Sequence, residues 1–260
     1  MPSSAKTPLL KVDSVSMTFG GLKAVSDFNL EVYPGEIIAL IGPNGAGKTT
    51  AFNMITGVYV PTSGEITFGG KSLVGKKPSD ITKRGIARTF QNIRLFSTLS
   101  VLENVKIAYH THVRYTLPEA ILRVGRYMRS EVQIEKKARE LLAIFHLEDL
   151  ADELAMNLPY GAQRRLEIAR ALAARPKLLL LDEPAAGMNP QETAELMEMI
   201  RWIKKEFGLS ILLIEHDMSL VMGISERIYV LEYGEIIAQG TPAEIRENPD
   251  VIRAYLGGES

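Results

Sequence analysis

Eight consecutive residues, Gly42-Pro43-Asn44-Gly45-Ala46-Gly47-Lys48-Thr49, place three glycines, a lysine and a hydroxyl in the spacing G-x-x-x-x-G-K-[ST]. That combination suits a polyphosphate. Glycines let backbone N–H groups turn inward with no Cβ in the way, the lysine reaches the β and γ phosphates, and the threonine hydroxyl can ligate Mg²⁺. Asn44, Gly45, Ala46, Gly47, Lys48, Thr49 and Thr50 are therefore the candidate nucleotide-binding segment. Further on, Asp182-Glu183-Pro184 puts two adjacent carboxylates at the end of the apolar run Leu178 to Leu181. Neighbours at i and i+1 of an extended chain point in different directions, so two roles become available. Asp182 would bind Mg²⁺ and Glu183 would polarise the water that attacks a γ-phosphate.

The flanking sequence supplies the elements that would hold these groups. Glu36 to Ile41 reads as a buried strand, and Thr50 to Thr56 carries Phe52 and Ile55 at helical spacing, so the glycine loop meets a helix N-terminus. Lys177 to Asp182 and Ile211 to Glu215 are continuous apolar runs ending in acids, as buried parallel strands read. Between them Leu196, Ile200, Ile203 and Phe207 mark a crossover helix. Ligands of such sheets bind outside the carboxyl ends of the strands, where the loop, Asp182 and His216 all fall. Near the N-terminus, Leu10 to Val12, Phe28 to Val32 and Glu65 to Phe68 are short strands separated by the turns Tyr33 to Glu36 and Pro61 to Gly64. Between Ser97 and Leu158 the pattern turns helical, with Ala138, Leu141, Leu142 and Phe145 on one helix face. The expected fold is α/β: a P-loop NTPase core with a mainly parallel sheet, an N-terminal antiparallel β subdomain and an inserted helical subdomain.

Composition excludes several functions. Of 260 residues, 46% are hydrophobic and 23% charged, and the net charge of -1 gives no pull toward nucleic acid. With no cysteine, disulfides, zinc-thiolate sites and thiol catalysis are excluded. Met1 to Pro8 carries no secretory signal, and no apolar run approaches the roughly 18 residues of a membrane helix, so the chain is expected to be soluble and cytoplasmic. Arg114, Arg123, Arg126 and Arg129 read as a solvated helical face, and His110-Thr111-His112 lacks the further ligands of a metal site.

Five segments in order extend the pattern: the glycine loop, Arg88-Thr89-Phe90-Gln91, Leu158-Pro159-Tyr160-Gly161-Ala162-Gln163-Arg164-Arg165 running into Leu166 to Leu172, Asp182-Glu183-Pro184, and Ile214-Glu215-His216-Asp217. The set resembles the nucleotide-binding subunit of an ABC transporter over nearly the whole chain. The resemblance implies one ABC ATPase domain over 8–257 with a helical subdomain at 92–160, and ATP and Mg²⁺ as cofactors. It assigns catalysis to Glu183, His216 and Gln91, and Mg²⁺ to Thr49, Gln91 and Asp182. Phe19 would stack on adenine with Val25 lining the same face; otherwise Phe19 is an ordinary core aromatic. Tyr160, Gly161, Ala162 and Gln163 would form the signature that binds the ATP of a partner subunit.

Arg88 to Gln91, Tyr160 to Arg170, Asp182 to Pro190, Glu215 to Ile224 and the tail from Gly240 to Gly257 are similar to one ATP-binding subunit of branched-chain amino acid importers. That implies a second ABC ATPase subunit, identical or different, two transmembrane permeases and an extracytoplasmic binding protein. The chain would sit peripherally on the cytoplasmic face of the inner membrane, with Phe90 to Leu102 receiving a permease helix. The alternatives are the ATPase of another ABC transporter, such as a lipid or lipopolysaccharide exporter, and a soluble non-transport ABC protein. A small-molecule kinase is disfavoured by the Leu158 to Leu172 segment. Two departures from the family pattern stand out: Pro159 where the signature has serine, and Asn189 where Asp is usual. Because each ATP lies between one subunit's loop and the other's signature, Pro159 implies an asymmetric pair with a weakened signature over the partner's ATP.

Overall fold

The computed structural model describes residues 7–112 and 126–256. Along the chain run β1 (Leu10–Phe19), β2 (Leu22–Val32), β3 (Ile37–Ile41), α1 (Lys48–Ile55), β4 (Ser63–Phe68), β5 (Lys71–Ser72), α2 (Pro78–Arg84), β6 (Ile86–Arg88), α3 (Val101–Tyr109) and α4 (Arg126–Ile144). There follow α5 (Tyr160–Ala173), β7 (Leu178–Asp182), α6 (Pro190–Phe207), β8 (Ser210–Ile214), α7 (Met218–Ile224), β9 (Arg227–Glu232), β10 (Glu235–Gly240), α8 (Pro242–Glu247) and α9 (Pro249–Leu256). The chain divides into two compact units, one of 1–81 with 177–260 and one of 82–176.

The first unit holds both sheets. β1 pairs antiparallel with β2 across the tight turn Gly20-Gly21, whose φ angles of 51° and 94° only glycine adopts without strain, and with β4 on its other side. In the other sheet β10, β9, β3, β8 and β7 lie in that order. β3 runs parallel to β8 and β9, and β7 parallel to β8, while the hairpin to β10 is antiparallel. Every residue of β3, β7 and β8 is buried, which is why these strands read as unbroken apolar runs. Each large aliphatic side chain so buried contributes about 2 kcal/mol. Parallel alignment puts the ends of β3, β7 and β8 at one edge, with Asp182 in register with Ile214 and Leu40 beside the same residue.

α6 begins at an Asn189 capping box and ends at Gly208, at φ 59°. It buries Leu196, Ile200 and Ile203. Phe207, in the last turn, is exposed and meets Trp202 edge-on at 5.9 Å.

The second unit is built on α3, α4 and α5. Ala138, Leu141, Leu142 and Phe145 are all buried, as their spacing demanded. Ser100 and Glu103 form a capping box at the start of α3. Asn104, fully buried, accepts from the Phe96 N–H at 2.9 Å and donates to the Phe96 and Ser100 carbonyls at 3.0 and 2.9 Å, which pins the loop before α3. His110 is engaged through both ring nitrogens, with Lys106 O at 2.9 Å and Glu131 Oε1 at 2.8 Å. Arg114, Arg123 and the side chains of His112 and Arg126 lie outside the described residues.

Candidate functional site

The glycine loop leaves the buried strand β3 at Gly42. A Cβ there would lie 1.9 Å from the Leu231 carbonyl oxygen, and at Gly47 2.7 Å from the Ala24 carbonyl oxygen. Both φ angles are positive as well, 150° and 106°, so neither position accepts a side chain. Gly47 is also the N-cap of α1 and makes no side-chain bond to it, which leaves the first-turn N–H groups for an anion. The Lys48 side chain curls over the loop. Its Nζ donates to the Gly42 and Pro43 carbonyls at 2.7 and 2.9 Å. Burial lowers its pKa, opposed by the negative charges of Glu183 and Asp182. The cavity at this loop, about 390 Å³, is lined by Asn44, Lys48, Thr49 and Glu183 together with Leu22 and Tyr233.

Asp182 is the buried last residue of β7. Glu183 then kinks the chain into the left-handed region at φ 48°, a conformation that costs a non-glycine residue about 1–3 kcal/mol. Its N–H still donates to Ile214 O at 2.9 Å, so the kink is held to the end of β8. The Glu183 Oε2 lies 2.8 Å from His216 Nε2. A carboxylate so placed can take a proton from water beside a phosphate, and the imidazole next to it can hydrogen-bond the same group.

Glu215 underlies this pair. It is 2% exposed; its Oε1 accepts from the Ala185 N–H at 2.7 Å, and its Oε2 from the His216 and Asp217 N–H groups at 3.0 and 3.4 Å. Burial pushes its carboxyl up, and those backbone donors pull it down. One buried side chain thus ties the turn after Glu183 to the turn that carries His216. Asn189 takes a different part: its Oδ1 accepts from the Gln191 and Glu192 N–H groups at 2.9 and 3.0 Å, so it serves as a helix cap without the charge an aspartate would add.

In the second unit, α5 starts at Tyr160 with Pro159 as N-cap and no side-chain cap bond. Gly161 has open space around it, and Gln163 Nε2 donates to the Leu158 carbonyl at 2.9 Å. The next turn carries a buried pair, Arg164 and Glu167, each side chain 1% exposed and 3.0 Å apart. Arg164 donates to the carbonyls of Phe90 at 2.8 Å and Gln91 at 3.1 Å, and to the Tyr160 hydroxyl at 3.1 Å. Glu167 accepts from the N–H groups of Phe90 at 3.3 Å and Arg94 at 3.2 Å. Burial raises the Glu167 pKa, against the pull of those donors and of Arg164. The loop at Gln91 is therefore clamped through its backbone to the helix that begins at Tyr160, while the Gln91 side chain stays exposed.

Residues 25–186 match the ABC transporter family, and residues 235–260 match the branched-chain amino acid ATP-binding cassette transporter family. The chain is 50% identical to the high-affinity branched-chain amino acid transport ATP-binding protein LivG of Escherichia coli, over 96% of this chain and 98% of LivG. The chain belongs to the ABC transporter ATPases. The corresponding protein BraF of Pseudomonas aeruginosa is 46% identical over 96% of this chain and 98% of BraF. The lipopolysaccharide export system ATP-binding protein LptB of Escherichia coli is 36% identical over 95% of this chain and 97% of LptB. Among solved structures, the ADP conformation of an ATP-binding cassette of an ABC transporter superposes with a TM-score of 0.84 at 30% identity, covering 96% of this chain and 99% of that one. A dimeric post-hydrolysis ATP-binding cassette bound to ADP and Pi gives a TM-score of 0.75 at 27% identity, covering 90% and 98%.

As an ABC transporter ATPase the chain binds ATP and hydrolyses it to drive transport. Its described residues include no helix long and apolar enough to cross a membrane. The first unit brings together Asn44 to Thr50, Asp182, Glu183 and His216; the second carries Gln91 and Tyr160 to Gln163. Phe19 is 40% exposed with its ring edge-on to Tyr59 at 5.2 Å, whereas Val25 is fully buried beneath Gly47 and the cavity is lined by its neighbours Leu22, Lys23 and Ala24. Three residues of this ABC ATPase escaped the reading of the sequence: Glu215, Arg164 and Glu167. The signal for the last two was a charged pair at i and i+3 inside a segment otherwise rich in buried aliphatics.

Proposed function

We propose that this chain powers the import of branched-chain amino acids, as the peripheral ATPase of an assembly with a second ABC ATPase, two permeases and an extracytoplasmic binding protein. The observation that carries the reading is the Asp182, Glu183 and His216 cluster beside the Gly42 to Thr49 loop, in a chain half identical to LivG along its length. The loop fits a triphosphate because the first-turn N–H groups of α1 have no side-chain cap and stand with Lys48 at a cavity of about 390 Å³. The hydroxyl of Thr49 and the carboxylate of Asp182 are hard oxygen donors suited to Mg²⁺. When bound, ATP would supply the transferable phosphoryl group, and Mg²⁺ would neutralise charge that develops on it. Lys48 exchanges its two carbonyl partners for phosphate oxygens, Glu183 accepts the proton of the attacking water, and His216 holds Glu183 and bonds the γ-phosphate. Phe19 stacks on adenine. The segment Phe90 to Leu102 receives a permease helix, and the Arg164 and Glu167 clamp relates that loop to the signature.

Tyr160 to Gln163 close over the partner's ATP. With Pro159 the signature has neither a hydroxyl nor a backbone N–H at that position. Pro159→Ser is expected to raise hydrolysis at the partner's site by roughly tenfold, the effect of one hydrogen bond to a charged group. Unchanged hydrolysis at both sites of the assembled transporter would contradict the asymmetric pair. The importer reading is tested by purifying the chain from its native membrane and identifying what accompanies it. A branched-chain amino acid permease pair supports it, and lipopolysaccharide-export permeases would overturn it.

A further inference from the structure

The turn between β9 and β10 is two residues long, Tyr233-Gly234, with Glu232 and Glu235 in register on either side. Both φ angles are positive, 46° and 84°, which is the geometry of a type I′ turn and calls for Asn-Gly. Gly234 meets that demand. It is also locked in place: its N–H donates to Ala46 O at 2.9 Å, its carbonyl accepts from the Ser26 N–H at 2.8 Å, and a Cβ would lie 2.8 Å from Ala24 O. Tyr233 does not meet it. A bulky aromatic in the left-handed region is strained, and this one is 89% exposed, so it recovers nothing from core packing. Tyr233 instead lines the cavity of the glycine loop, beside Leu22, Lys23 and Ala24, the stretch that follows Phe19. Strained residues of this kind cluster at active sites and ligand clamps.

We infer that Tyr233 is a nucleotide-contacting residue, whose ring closes over the nucleoside end of the bound ATP while the loop it is bonded to holds the phosphates. The inference rests on the reading of Gly42 to Thr49 as the triphosphate cradle. Its ring face would pack on the base or its sugar, adding to whatever Phe19 contributes.

The test is equilibrium binding of ATP and of inorganic tripolyphosphate to the full chain, with thermal denaturation of the same samples. Tyr233→Ala is expected to weaken ATP binding about tenfold, within the range for loss of one aromatic stacking partner, and to leave tripolyphosphate binding unchanged. Tyr233→Phe should keep the affinity, because the ring remains. Tyr233→Asn separates ligand contact from structure, since it relieves the turn: melting temperature should rise while ATP affinity falls. ATP affinity unchanged in Tyr233→Ala and Tyr233→Asn, or a loss in Tyr233→Phe equal to that in Tyr233→Ala, would overturn the inference. Lys48→Ala, expected to lose both ligands, tests the cradle on its own, so a failure there is distinct from a failure at Tyr233.

Discussion

Glu183→Gln is expected to lower ATP turnover by on the order of 10²-fold or more in the assembled transporter while ATP still binds, as loss of a general base does. Gln preserves the size of the side chain and the backbone kink that the Ile214 carbonyl holds. It retains a hydrogen-bonding group 2.8 Å from His216 Nε2 but can no longer take a proton from water. Binding should persist, because in the proposed function the phosphate contacts come from the loop amides and Lys48. Single-turnover hydrolysis beside equilibrium binding separates the two effects, and near-normal turnover in the variant would remove Glu183 from the role of base.

Arg164→Met should destabilise the second unit by about 3–5 kcal/mol, the usual cost of leaving one partner of a buried ion pair uncompensated. Glu167 would remain 1% exposed without its cation, and the carbonyls of Phe90 and Gln91 would lose a donor. For a chain of this size that corresponds to a fall in melting temperature of roughly 10 °C, readable by calorimetry. Replacing both partners with apolar residues should recover part of the loss, since the buried carboxylate goes with the cation. A change below about 1 kcal/mol in the single variant would show that the pair carries little of the loop's stability.

The sequence made the sheet legible because β3, β7 and β8 are buried on both faces, and continuous aliphatic runs ending in acids have few other solutions. The glycine loop was legible for a related reason: the backbone must bend where the Leu231 and Ala24 carbonyls leave no room for a Cβ. Other features depend on contacts distant in sequence. Nothing local shows that Glu183 adopts φ 48°, since the bond that holds it comes from Ile214 on another strand. Glu215 reads as one letter of a motif until its carboxylate is seen to accept from Ala185, 30 positions away. Arg164 and Glu167 carry the types of a solvated helix face, yet the loop at Phe90 covers them. Val25 lies beneath the loop rather than in the cavity, packed against the backbone at Gly47, a contact 22 positions away that nothing local announces.

In the proposed function, ATP hydrolysed at this chain's own loop drives branched-chain amino acids across a membrane. Leucine uptake into vesicles carrying the assembled transporter tests it, with the binding protein on one side and ATP on the side of this chain. The expected result is ATP-dependent accumulation of leucine that is lost when this chain alone carries Glu183→Gln. Accumulation that continues undiminished with that variant would contradict it.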